Sequence, residues 1–127
     1  MIIKWDLSIT QERICKMFCF NKDVEFEILD ENTKRKVLVH DEKMMAVEVH
    51  FKKATNNVET HSHVHDQLSY VLKGSFKFIV GDKSEIVREG DTIFMPSNIP
   101  HGCIVLEDNS IVYDVFTPER KDFLKNN

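Results

Sequence analysis

Residues 61–74 read HSHVHDQLSYVLKG, and the alternation inside this stretch decides how the rest of the chain is interpreted. Three of the six histidines, His61, His63 and His65, stand at alternate positions, and Gln67 continues the pattern. In an extended strand every second side chain points to the same face. Imidazoles converging on one face make a metal site or a proton-handling site. Polar alternation also fits a strand whose polar face meets solvent, so the choice rests on the surrounding sequence.

Downstream, YVLKG, SFKFIV, EIVREG, DTIFMP, GCIVLE and SIVYDVF are short runs rich in β-branched and aromatic residues, broken by turn residues. Upstream lie VEFEIL, VLVH and MMAVEVHF, the last with Met45, Val47, Val49 and Phe51 on one face. A hairpin is signalled at FIVGDKSEIV, where Gly81-Asp82 can turn the chain. Gly74, Gly81, Gly90 and Gly102 each close a predicted strand, where glycine supplies a tight left-handed turn. Nine or ten evenly spaced strands predict an all-β sandwich or barrel. With no repeat or low-complexity linker, the 127 residues suit one domain. Its barrel core would occupy about residues 24–117, with an N-terminal arm at 1–23 and a tail at 118–127. In the arm, SITQERICKMF is compatible with a short helix capped by Ser8 or Thr10. In the tail, PERKDFLKNN suits a fraying helical turn.

Hydrophobic residues at 42% and charged residues at 30% are ordinary for a globular chain. A net charge of -4, with both signs dispersed, argues against nucleic acid or an anionic membrane as partner. No apolar run approaches the roughly 20 residues a membrane helix needs. The opening MIIKWDLSITQERICKMF has no apolar signal segment, so a cytoplasmic location is expected. Cys15, Cys19 and Cys103 are an odd set without paired spacing and read as small apolar residues, not as a disulfide framework.

The order HSHVHDQLSYVLKG, then GDTIFMPSNIPH at residues 90–101, resembles the two motifs of the cupins. His61 and His63 match the first motif's histidine pair, Gln67 falls where a glutamate is expected, and Gly74 closes it. Gly90, Pro96 and His101 match the second. Thr55, Gln67, Asn98 and Val105 depart from a glycine, a glutamate, a glycine and an asparagine. The resemblance covers about residues 43–117 and implies a double-stranded β-helix, the cupin or jelly-roll barrel. It also implies one divalent ion (Zn, Ni, Fe or Mn) held by His61, His63, Gln67 and His101. Pro96 and Pro100 would stiffen the approach to His101. Three imidazoles and an amide cancel none of the ion's charge, which favours Lewis-acid over oxygen chemistry.

With DVFTPERKDF at residues 114–123, the chain resembles more narrowly the small cupins of pectin and alginate degradation. That resemblance implies the same ligand set and a substrate pocket lined by Asp114, Phe116 and Arg120. It implies conversion of a 4,5-unsaturated monouronate into its linear keto form. Asp114 would then be a general acid/base, Arg120 a carboxylate clamp and Phe116 an apolar floor. From the strand pattern alone, an outward Asp114 and an exposed Arg120 stay open. An iron-dependent dioxygenase and a non-catalytic ligand-binding module are the rival functions. The expected partners are a small anionic substrate and a second copy of the chain, the latter from the apolar Ile2, Ile3, Trp5 and Leu7. His65 fits a pocket wall or a solvent loop equally. His40 and His50 read as surface strand residues, and Cys103 as a packed small side chain. Glu48 and Glu59 are weaker cavity candidates, and Tyr70, on the opposite parity, reads as core.

Overall fold

The computed structural model describes residues 17–124. Nine strands run in chain order: β1 Glu27–Ile28, β2 Thr33–Asp41, β3 Met44–Phe51, β4 Asp66–Lys73, β5 Ser75–Val80, β6 Lys83–Arg88, β7 Thr92–Met95, β8 His101–Val105 and β9 Ser110–Thr117. One sheet has six strands in the order β1-β2-β3-β9-β4-β7, and the other has three in the order β6-β5-β8. Every pairing is antiparallel. β1, β2 and β3 are neighbours in sequence as well as in the sheet, but β9 sits between β3 and β4, so the sheet closes only when the two halves of the chain meet.

The period-two pattern drives this arrangement: β4, β7 and β9 each bury alternate residues. Val71, Ile93, Met95 and Val112 of the larger sheet pack against Phe76, Phe78 and Val105 of the smaller. A second cluster of Met45, Val47 and Phe116 fills the other end. Between the two clusters the interior carries polar groups: Gln67, Ser69, His101 and Asp114 are all buried. The site grows from this polar gap in an apolar core.

Local details follow from the residues. The β5–β6 hairpin has a two-residue loop, with Val80 opposite Lys83 and Gly81 at φ 61°. The stretch VEFEIL yields only the two-residue strand β1, and the Phe26 ring just before it stands edge-on to His50, 4.8 Å between centroids. The tail makes one short helical turn, Lys121–Phe123. The expected N-terminal helix and the apolar residues Ile2, Ile3, Trp5 and Leu7 lie outside the described residues, apart from the end of the helical stretch at Met17 and Phe18. Among the described residues, no helix is long and apolar enough to cross a membrane.

Two expectations are corrected. Tyr70 is not core: it is 40% exposed, because the ligand-facing parity of β4 is the barrel interior and the opposite parity is the outer surface. Gly102 does not form a left-handed turn, as it lies inside β8. Its hydrogen instead admits a neighbouring backbone: a Cβ there would meet the Glu59 carbonyl oxygen at 2.7 Å and the Val58 side chain at 2.8 Å.

Candidate metal centre

His61 and His101 are joined by an isolated antiparallel bridge, each N–H donating to the other's carbonyl at 2.9 Å. The His63 carbonyl accepts the Asn98 N–H at 2.7 Å. Asn98 sits at φ 63°, a left-handed conformation that asparagine tolerates better than most residues. That accounts for asparagine where the motif has glycine. These bonds bind the segment carrying His61 and His63 to the loop that delivers His101.

One ring nitrogen from each of His61, His63 and His101 lies within 4.8 Å of the others. The Nδ1 of His63 donates to the His65 carbonyl at 2.9 Å, and the Nδ1 of His101 donates to the Ile99 carbonyl at 2.9 Å. A carbonyl only accepts, so in the neutral rings both Nε2 atoms carry lone pairs. The His101 Nε2 is buried without a partner. The His63 Nε2 faces Gln67 Oε1 at 3.0 Å, acceptor against acceptor, which calls for a cation between or beside them. Burial holds the pKa of His61 and of His101 below the usual histidine value, so these rings are neutral near pH 7 and free to donate lone pairs. The residues therefore fit a divalent metal ion.

A hydrogen-bonded line leads away from this cluster. Gln67 Nε2 donates to Ser69 Oγ at 3.1 Å, and Ser69 Oγ donates to Asp114 Oδ1 at 2.5 Å. The line turns the Gln67 amide so that its oxygen, not its nitrogen, faces the histidines. Burial pushes the Asp114 carboxyl up to about 6, against the opposing effect of the Ser69 and Gln67 hydrogen bonds and of Arg120.

Gln67, His61, His101, Asp114, Phe116 and Arg120 line one cavity of about 390 Å³. The Phe116 ring stands 5.8 Å from that of His63, and the Arg120 guanidinium carbon is 5.1 Å from the centroid of Phe116. Arg120 is also paired with Asp122, Nε and Nη2 donating at 3.0 and 2.8 Å. His65 belongs to the site region and not to a solvent loop: its ring is 5.3 Å from that of His63, and its Nδ1 is buried without a partner. Cys103 lines the cavity while packing against the core, and burial pushes its thiol up to about 12, so it stays a neutral thiol. Glu59 also lines the cavity. Glu48 faces the other side of its sheet, buried beneath Asn21 and bonded to His50 at 2.8 Å. His40 is an exposed strand residue paired with Glu119 at 2.8 Å. Ser69, Arg35 and Phe123 reach the site region without having been singled out in the sequence. For Ser69 a signal existed, its parity with Gln67.

A family model described as a cupin domain matches residues 47–116. The chain is 32% identical over 109 residues to the pectin degradation protein KdgF of Dickeya dadantii (strain 3937), spanning 86% of this chain and 99% of that protein. Among solved structures, KdgF from Halomonas sp. superposes with a TM-score of 0.79 at 32% identity, covering 84% of this chain and 97% of that one. An RmlC-like cupin from Shewanella frigidimarina NCIMB 400 gives a TM-score of 0.78 at 33% identity, covering 84% and 95%.

Proposed function

We propose that this chain, which belongs to the cupin family, is a metal-dependent enzyme that converts a 4,5-unsaturated monouronate into its linear keto form. The fold is the double-stranded β-helix of that family. The observation that carries the function is the convergence on one 390 Å³ cavity of metal-competent histidines, a buried carboxyl and a guanidinium. The similarity to pectin degradation proteins supports the substrate class.

One divalent ion would be held by His61, His63, His101 and the oxygen of Gln67. The chemistry it supplies there is Lewis-acid polarisation of a carbonyl or carboxylate oxygen. Arg120 holds the substrate carboxylate, with stacking on Phe116 fixing the guanidinium plane. Phe116 gives the sugar ring an apolar surface and keeps water from that side. Asp114 accepts the proton of the anomeric hydroxyl, the bond from the anomeric carbon to the ring oxygen breaks, and an enolate is left. The same carboxyl returns the proton to C4, the enolate carbon next to the one bearing oxygen, giving a ketone at C5, an aldehyde at C1 and a linear chain. No atom is gained or lost, and no oxidant is needed. Ser69 keeps one Asp114 oxygen bonded and leaves the other for the substrate. Cytoplasmic action and pairing with a second copy are part of the same proposal.

The test is turnover of unsaturated monouronates followed by NMR, together with metal content by elemental analysis. Loss of the vinyl proton signal with one metal per chain is expected, and metal should be lost in His63→Ala and His101→Ala. Absence of turnover on every such uronate ends the substrate assignment; equal metal in all three proteins ends the metal assignment.

A further inference from the structure

Two arginines reach the cavity, and the proposed reaction uses only one. Arg35 comes from β2 opposite Val49, one of the inward residues of β3, and lines the same cavity as Asp114 and Arg120. Its guanidinium carbon stands 3.7 Å from the centroid of Phe123, and that of Arg120 stands 4.2 Å from the same centroid. The two cations are therefore no further apart than the sum of those distances. Both side chains are largely buried, at 13% and 14% exposure.

Each guanidinium is clasped by a more exposed acid. Arg35 donates from Nε and Nη2 to Glu27 at 3.2 and 3.3 Å, as Arg120 does to Asp122. In both, the carboxylate occupies Nε and Nη2 and leaves the Nη1 N–H groups without an acceptor among the described residues. Two buried cations this close repel one another. A residue serving only to pack Phe123 would avoid that cost with an apolar side chain. The rim acids and the shared ring fix both guanidiniums before any ligand arrives, which lowers the ordering cost of binding.

We propose that Arg35 is a second oxyanion-binding group of this cavity, and that the site selects short polyhydroxy acids with an anionic or strongly accepting oxygen at each end. The inference rests on the reading of Arg120 as carboxylate clamp. On a monouronate, Arg35 donates to the oxygen at the end of the molecule opposite the carboxylate. A ligand with carboxylates at both ends gains a second charge-assisted contact.

The experiment is isothermal titration of the metal-loaded protein with galactarate, which has two terminal carboxylates, and with galacturonate, which has one. The wild type should bind galactarate about tenfold more tightly, the worth of one charge-assisted hydrogen bond. Arg35→Met should shrink that margin to about twofold or less, while Arg120→Met weakens both ligands. Glu27 lies at the rim, so Glu27→Gln tests the subsite without disturbing the core. It should tighten galactarate about threefold by removing a competing acceptor. No margin in the wild type, a margin kept in Arg35→Met, or no change in Glu27→Gln overturns the proposal. Turnover is not read, so failure on unsaturated uronates leaves this result standing, and the reverse also holds.

Discussion

Ser69 shows what a single hydroxyl does in a dry interior. It has one proton to give and gives it to Asp114, so only its lone pairs remain for the Gln67 amide. Ser69→Ala removes the acceptor that holds that amide and lets it turn its nitrogen toward the histidines. Metal affinity by competitive chelation should fall about tenfold to a hundredfold, the usual loss when a supporting hydrogen bond is removed. An unchanged affinity would show that the amide needs no such guide. Asp114 and Arg120 should differ in kind. Asp114→Asn keeps shape and removes the proposed base, so kcat should drop by about 10² to 10⁴ with metal retained. Arg120→Ala should mainly raise KM, because a held carboxylate is bound in the ground state too; steady-state kinetics on the uronate separate the two. At this scale the histidines were legible because alternate imidazoles are rare on a solvent face. Ser69 was not singled out, although it shares the parity of Gln67, because a serine suits an inward or an outward strand position equally. Arg35 stands in the run TKRKV, where charged residues at successive positions give no sign of which face looks inward. Only Arg35 turns to the cavity, while Lys36 is buried elsewhere, its ammonium bonded to Asn21 at 2.8 and 2.9 Å.

The strands were largely legible, because apolar periods of two separated by turn residues leave little choice of element. What alternation does not state is which side of a strand is inside, and Tyr70 was misplaced for that reason. Nor does it tell a turn glycine from a glycine that lets two backbones touch. Gly102→Ala tests the second role. The added methyl must push back the Glu59 carbonyl and the Val58 side chain, and with them the segment leading to His61. Stability in urea should drop by about 1–3 kcal/mol, as for an overpacked core. Metal affinity should fall as well, because His61 and His101 are displaced relative to each other. Gly81→Ala serves as the control: its turn would be strained at φ 61°, yet the nearest atom to a Cβ is a side-chain carbon of Ile99 at 3.6 Å, and metal binding should survive.

Across the whole molecule, apolar side chains gather on the outer face of the larger sheet. Leu68, Tyr70, Leu72 and Phe94 are each at least 40% exposed, and Leu68 lies directly opposite Phe94 in the ladder. Among the described residues nothing covers this row, and monomeric proteins seldom leave one bare. A dimer is expected by light scattering at micromolar concentration, and Leu68→Lys with Phe94→Lys should return it to a monomer while metal content stays the same. A monomeric wild type would refute the assignment. The His61–His101 bridge has a consequence of another sort, in time. The imidazoles of the first motif and that of the second come from chain segments sewn together by reciprocal backbone bonds. If loss of an ion requires the His61 and His101 rings to separate, it waits on the parting of that seam. Metal loss to a chelator should therefore level off at a fixed rate as chelator concentration rises, and that plateau should match the hydrogen-exchange rate of the His61 and His101 amides. The site would act as a clock for its own barrel, ticking at the frequency with which the seam opens.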